Sequence, residues 1–314
     1  MELIKSEMNE LLDHVAAELV KQESIVESLD LLGKYLNEIR GKVSLDSWRQ
    51  IISNCYPRQS ISSLLFQDPL TRRAFQKPRG YAGDAIMMDL VYAADSSLGF
   101  PADKSLTEFG RTIYSYVSKF PACKAVRFRK QLIAQLIDEV ASNVNKPKIL
   151  SVACGHLREA ESAKAVLDGK IGRFLALDQD SESLQSVRED YTSFGIEPIH
   201  ASVKDILQGK FTYSDFDFIY SAGLYDYLKN PVAIRLTRVL FDKLKPGGRM
   251  MLANFLPDHP TVGYMEACMD WWLIYRDEAQ MENLLSSIPE EQINSTKISV
   301  DNDRSIVYLD VLKK

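Results

Sequence analysis

Gly155 and Asp178 are the residues of this chain whose types and spacing point most directly to chemistry. Gly155 lies in a Cys154-Gly155-His156 turn after the apolar run Ile149 to Ala153, and Asp178 follows a second apolar run, Arg173 to Leu177. A glycine turn after a strand lets the backbone come close to a ligand. A helix predicted from Leu157 to Leu167 would offer free amide donors at its N-terminus. A carboxylate at the carboxyl end of the next strand can accept from both hydroxyls of a ribose. The pairing predicts a nucleoside site touching Ala153, Gly155, His156, Asp178 and Gln179. The second and third glycines of the dinucleotide fingerprint are missing, and so is a Gly-Lys-Ser/Thr phosphate loop, so pyrophosphate is not expected there.

The elements that must position these residues follow in the order of an open α/β sheet. Asp217 to Ser221 reads as the fourth strand, Leu244 to Gly248 as a Lys-Pro-Gly-Gly turn, and Met250 to Asn254 as the fifth strand. Asp180 is placed to cap a helix from Ser181 to Phe194. One glycine with an acid 23 residues on, followed by these strands, resembles the cofactor site of class I methyltransferases. That resemblance implies a Rossmann-like class I methyltransferase fold, an α/β architecture with a seven-stranded mostly parallel sheet, and S-adenosyl-L-methionine as cofactor. Ser202 and Val203, after the third strand, would then meet adenine, with Asp205 a less well placed substitute. Ser221, Ala222 and Gly223 would border the methionine moiety. Tyr225 and Tyr227 would look into the reaction chamber, although one of them could equally be a packed aromatic because alternate residues after a strand face opposite ways.

Leu3 to Arg40 carries Leu11, Leu12, Val15, Leu19, Ile25, Leu29, Leu32 and Leu36 at helical spacing, which predicts one or two amphipathic helices that pack on the body of the protein or form a homodimer. A further helix is expected from Ser44 to Asn54, capped by Ser44, then loop chemistry from Gln67 to Tyr92, then helices from Thr107 to Lys119 and Lys124 to Val144. The expected division is 1–122, an N-terminal helical and lid region, and 123–314, the catalytic domain. With 314 residues, 46% hydrophobic and 26% charged, the composition is that of a soluble globular protein. A net charge of −5 is a poor basis for gripping nucleic acid, and the Arg127-Phe128-Arg129-Lys130 cluster reads as a solvated helix face. Cys55, Cys123, Cys154 and Cys268 have no metal-ligand spacing, so no metal is expected and reduced thiols suggest a cytoplasmic setting. No run approaches the ~18 apolar residues of a membrane span, and the start lacks a signal-peptide pattern.

Three further segments carry a finer resemblance: Asp68-Pro69 through Arg79-Gly80-Tyr81-Ala82-Gly83-Asp84, Ser221 through Tyr225-Asp226-Tyr227-Leu228, and Met265-Glu266 through Asp270-Trp271-Trp272 to Arg276. In this order the chain resembles, over roughly residues 65 to 312, the bacterial extracellular-factor 3-hydroxypalmitic acid methyl ester biosynthesis proteins. His156 departs from the proline common at that position. The resemblance implies a lid over the cofactor and makes Arg79, Tyr81 and Asp84 cofactor or substrate contacts. Arg79 would pair with a carboxylate and Tyr81 lie against a sulfonium; the alternative is a loop pinned by an internal Arg-Asp pair. Glu266 to Arg276 reads as a helix, with Trp271 and Trp272 as core or substrate wall and Tyr275 and Arg276 reaching a bound acid. His259 is either a general base or an exposed loop histidine.

Methyl transfer to the carboxylate of a small, acyl-like metabolite suits a site without an obvious base, because a carboxylate is already ionised at neutral pH. The azetidine-2-carboxylate synthases look like the same family and imply the alternative. In them the α-amine of S-adenosylmethionine displaces methylthioadenosine, in a chamber that Tyr81, Tyr225, Tyr227 and Tyr275 would suit. A non-catalytic regulatory module is the third reading, and it has no need of a lid. Ser-Ala-Gly-Leu-Tyr-Asp-Tyr stands where a nucleic-acid methyltransferase would carry Asn/Asp-Pro-Pro-aromatic.

Overall fold

The computed structural model of the chain describes residues 2–56, 59–94 and 106–314. It divides into two compact units, one of residues 1–124 with 258–272 and the other of residues 125–257 with 273–314. Residues 258–272 group with the helical unit and not with the sheet that precedes and follows them in the chain.

The helical unit contains α1 (Glu2–Lys21), α2 (Ile25–Lys42), α3 (Leu45–Cys55), α4 (Gln59–Leu65), α5 (Pro69–Gln76), α6 (Ala85–Ala93) and α7 (Glu108–Val117), followed much later by a helix at Val262–Cys268. α1 buries Met8, Leu12, Val15 and Leu19, and α2 buries Leu29, Leu32, Leu36 and Ile39, so the spacing of three and four read from the sequence is the buried face. Ser44 caps α3 through its side chain, as expected. The stretch expected to be loop from Gln67 to Tyr92 is mostly helix. Asp68 accepts from the amides of Leu70 and Thr71 with Pro69 as the first helical residue, and Asp84 accepts from Met87. Asp-Pro and Gly-Asp here start helices because an aspartate satisfies orphan amide donors.

This unit also relocates several expected site residues. Asp84 is fully buried and holds Arg73 through two bonds of 2.8 and 2.7 Å, so it is a cap and an ion-pair partner and not a cofactor ligand. An Arg-Asp pair does pin the 77–84 loop, but its arginine is Arg73; Arg79 and Tyr81 are half-buried on the loop itself. The expected helix from Glu266 to Arg276 is replaced by the helix at Val262–Cys268, which stops before Asp270 at φ +46. Gly263 is needed there, since a Cβ would lie 2.6 Å from the backbone of Leu36 and Asn37 on α2. Glu266 accepts from Arg40 and Trp48 at 2.6 and 2.7 Å, while the Trp272 ring carries the Arg49 guanidinium and its Nε1 donates to Asp270. Trp271 is buried.

His259 is buried, with Nδ1 3.2 Å from Thr261 Oγ1, and neither of its expected roles survives. Burial first, then the Arg40 charge, lowers its pKa to about 3, so it is neutral and has no driving force as a base. Unfolded, it would take a proton near 6.5, which the folded ring refuses until about 3. The unfolded state thus binds more protons in that window, and stability falls as pH drops through it. His259→Asn is expected to flatten the melting temperature against pH between 6.5 and 4; an unchanged slope counts against this account.

The second unit is built on one sheet. Its strands are β1 (Lys148–Val152), β2 (Arg173–Asp178), β3 (Ile196–His200), β4 (Phe216–Ser221), β5 (Leu244–Phe255), β6 (Ile293–Val300) and β7 (Ile306–Lys313), in the order β3-β2-β1-β4-β5-β7-β6. The first five are parallel, and β7 runs antiparallel between β5 and β6. Continuous apolar runs such as Phe-Leu-Ala-Leu in β2 are what a strand covered on both faces requires. The Lys-Pro-Gly-Gly turn is a bulge inside β5: Leu244 pairs with Phe216 and Arg249 with Phe218. Strand order reverses between β1 and β4, so a crevice opens beyond their carboxyl ends. α8 (Pro121–Asn143) precedes β1, while α9 (Lys164–Leu167), α10 (Ser181–Tyr191), α11 (Val203–Leu207) and α12 (Asn230–Asp242) link the strands.

Candidate active site

Beyond β1 the chain turns sharply. Ala153 has φ +56, Gly155 φ +55 and Leu157 φ +53, so the strand ends at Val152 and not at Ala153. Three left-handed residues in five prevent a helix from starting, and the expected helix from Leu157 to Leu167 is a 3₁₀ turn at Arg158–Glu161 followed by the single turn of α9. What reaches the crevice is therefore turn backbone and not a helix N-terminus. Cys154 N–H donates to Leu177 O at 3.0 Å, and Gly155 N–H donates to Asp178 Oδ2 at 2.8 Å. The other carboxylate oxygen of Asp178 accepts from Asp180 N–H at 2.9 Å. The Gly155-Asp178 pairing read from the sequence is thus a direct bond that fixes the first turn to the end of β2. Each oxygen keeps a lone pair for a hydroxyl donor. Burial raises the carboxyl pKa, against the opposing effect of its backbone donors.

Other expected ligands are committed elsewhere. Asp180 caps α10 through Glu182 N–H and Ser183 Oγ, as expected. Ser202 caps α11 in a reciprocal box with Asp205, its hydroxyl donating at 2.6 Å, so the pair serves the helix start. Val203 begins that helix and Gln179 is exposed, its carbonyl 3.0 Å from His200 Nε2. Ser221 donates to Val152 O at 3.0 Å and ties β4 to β1. His156 is buried on the turn. Cys154 is buried, and burial keeps its thiol well above the ordinary range, which excludes a thiolate nucleophile at neutral pH.

Among the expected catalytic side chains, Tyr225 is a core residue. It is fully buried, and its hydroxyl meets Thr237 Oγ1 on α12 at 3.0 Å. Tyr227 faces outward at 38% exposure, and Tyr275 is half-buried. Arg276 is 1% exposed and spends its donors on Tyr225 O, Leu228 O, Asn230 Oδ1 and Asn254 Oδ1. It pins the loop after β4 and has no donor left for a bound acid.

Two residues not picked out from the sequence stand at this crevice. Arg129 on α8 is 5% exposed, and its Nη1 donates to Ala222 O at 2.6 Å; a Cβ on Gly223 would sit 3.9 Å from both Nη1 and Nη2. The expected solvated face is inverted, with Arg127 and Arg129 buried and Phe128 exposed. The signal was available: Val126, Arg129, Ile133, Ile137 and Val140 form one buried stripe at helical spacing. Asp226, in the 3₁₀ turn Tyr225–Tyr227, is 3% exposed and accepts from Phe255 N–H at 2.7 Å. Burial pushes its carboxyl up to about 7, against the pull of that donor, Arg129 and Arg276.

Residues 149–248 match the family model described as "Methyltransferase domain". The matched stretch of the methyltransferase domain runs from β1 through the bulge of β5 and takes in Gly155, Asp178 and Asp226. The fold is similar to that of a possible exported protein from Bordetella parapertussis, at TM-score 0.55 and 18% identity, with 80% of this chain and 96% of that chain covered. A further similarity is to magnesium protoporphyrin IX methyltransferase from Synechocystis PCC 6803, solved with bound SAH, at TM-score 0.45 and 11% identity, covering 61% and 86% of the two chains. No curated protein matches the chain. The sheet is the seven-stranded, mostly parallel, Rossmann-like sheet that the sequence implied. Among the described residues no helix is long and apolar enough to cross a membrane.

Proposed function

We propose that the chain is an S-adenosylmethionine-dependent methyltransferase acting on a small molecule. The observation that carries this is the Gly155-Asp178 bond at the strand-order reversal, inside the stretch that matches the methyltransferase domain. The residues fit the cofactor. Asp178 would accept from the ribose hydroxyls, the Ala153 to Gly155 backbone leaves room for the ligand, and Arg129 would receive the methionine carboxylate. Arg129 is suited to that role because it is a buried cation with five donors and, among the described residues, the Ala222 carbonyl as its one acceptor, lying against the side-chain-free edge of Gly223. When bound, S-adenosylmethionine supplies an electrophilic alkyl carbon on a sulfonium. The chain's own contribution is to orient that group, exclude water and manage the nucleophile's proton.

The finer readings shift in weight. A carboxylate acceptor loses Arg276, its expected partner. Intramolecular cyclisation to azetidine-2-carboxylate loses Tyr225 from its aromatic chamber but is favoured by Asp226, since an amine must be neutral to attack. Incubation with S-adenosylmethionine alone separates the two, because methylthioadenosine would appear only in the cyclisation. The cofactor assignment is tested by calorimetry. Arg129→Gln is expected to weaken S-adenosylmethionine and S-adenosylhomocysteine by roughly 10- to 100-fold, the loss of a charge-assisted carboxylate contact. Methylthioadenosine, which has no carboxylate, should bind the variant as it binds the wild type. Equal weakening of all three would mean that Arg129 shapes the site without touching the ligand.

A further inference from the structure

We propose that Asp226 is the proton acceptor of this site, and that the nucleophile it serves carries an N–H or O–H. This rests on the S-adenosylmethionine reading above. Asp226 is held from both sides: its Oδ1 accepts from Phe255 N–H at 2.7 Å, and its own carbonyl accepts from Ile274 N–H at 2.7 Å. Its Oδ2 makes no hydrogen bond to a described residue. The charged groups that face it are Arg129 from α8 and Arg276, and neither pairs with it. Arg129 donates to Ala222 O, and Arg276 is spent on the Tyr225 and Leu228 carbonyls and on Asn230 and Asn254. From β5 it meets the Phe255 amide.

A carboxyl that only capped β5 would need one oxygen. This one is oriented by that oxygen and keeps the other uncommitted, in the loop after β4 where Ala222 and Gly223 border the expected methionine position. Burial brings its affinity for a proton to near neutrality, where a base can both accept the proton and give it up to solvent afterwards. In the step, Asp226 Oδ2 takes the proton from the nucleophile's N–H or O–H. The lone pair left behind forms the new bond to the alkyl carbon, and the C–S bonding pair stays on sulfur, which leaves as a neutral thioether. A carboxylate nucleophile has no proton to give at neutral pH and would be repelled by an ionised Asp226. The α-amine of S-adenosylmethionine and a separate amine or hydroxyl acceptor both satisfy the requirement.

The test is calorimetric titration of the full chain with S-adenosylmethionine at pH 7, in buffers of differing ionisation enthalpy. A cation bound near a carboxyl that titrates near 7 displaces its proton, so the wild type should release roughly half a proton on binding, and less with S-adenosylhomocysteine. Asp226→Asn retains an oxygen for Phe255 N–H and should bind within a few-fold while releasing none. Equal release by both proteins overturns the proposal. Should the variant fail to fold, carbon-detected NMR of the wild-type carboxyl decides. Titration near neutrality that falls when S-adenosylmethionine is added supports the proposal, and titration below 5 or indifference to the ligand overturns it. A wild type that does not bind S-adenosylmethionine at all overturns the cofactor reading itself and this proposal with it.

Discussion

Asp178→Ala is expected to reduce the affinity for S-adenosylmethionine by at least roughly 100-fold. Two hydroxyl-to-carboxylate bonds at about 1.5 to 3 kcal/mol each would be lost, and each 1.4 kcal/mol is a factor of ten. The substitution also releases Gly155 N–H and Asp180 N–H, so part of the effect comes through the first turn. Methylthioadenosine separates this residue from Arg129: it shares the ribose and should be lost with Asp178→Ala, yet retained with Arg129→Gln. The same residue sets an acid limit. Binding needs the carboxylate, so affinity holds above the carboxyl pKa and falls as pH drops through it. Because burial raises that pKa, the fall begins at a higher pH than an exposed aspartate would give. Calorimetry showing unchanged affinity in Asp178→Ala would remove the cofactor assignment.

The parallel strands and the Gly155-Asp178 pair were legible because both rest on local pattern. Each central strand is a continuous apolar run, and a parallel sheet buried on both faces demands nothing else. The caps Ser44 and Asp180 were legible for the same local reason. Left-handed conformations of non-glycine residues leave no such mark: Ala153, Leu157 and Asp270 together removed one expected helix and truncated another. Side-chain commitments were the least legible. Ser202, Ser221, Asp84 and Arg276 have the chemistry of ligands, and whether a hydroxyl or guanidinium is free depends on backbone groups brought near it by distant parts of the chain. Arg129 failed in the opposite direction. Charge alone assigned it to solvent, although the stripe on which it lies is apolar.

Arg276→Met is expected to act on stability and not first on turnover. All five guanidinium N–H groups are paired: Nε with Asn230 Oδ1, Nη1 with Tyr225 O and Asn254 Oδ1 at 2.7 Å each, and Nη2 with Leu228 O and Asn230 Oδ1. These acceptors belong to the two ends of the loop after β4, the start of α12 and the end of β5. One side chain therefore closes the segment that carries Asp226. Its removal leaves the Leu228 carbonyl and the Asn254 amide oxygen without their guanidinium donor and the Tyr225 carbonyl with only the Leu228 N–H, for a loss of about 3 to 5 kcal/mol. For a unit of this size that corresponds to a melting temperature lower by roughly 10 °C. Arg276→Lys should not restore it, because one ammonium with three donors cannot span four acceptors set out for a planar fork. A guanidinium that instead bound an acidic substrate would give an intact melting curve and a raised KM, and that result would return Arg276 to the reaction chamber.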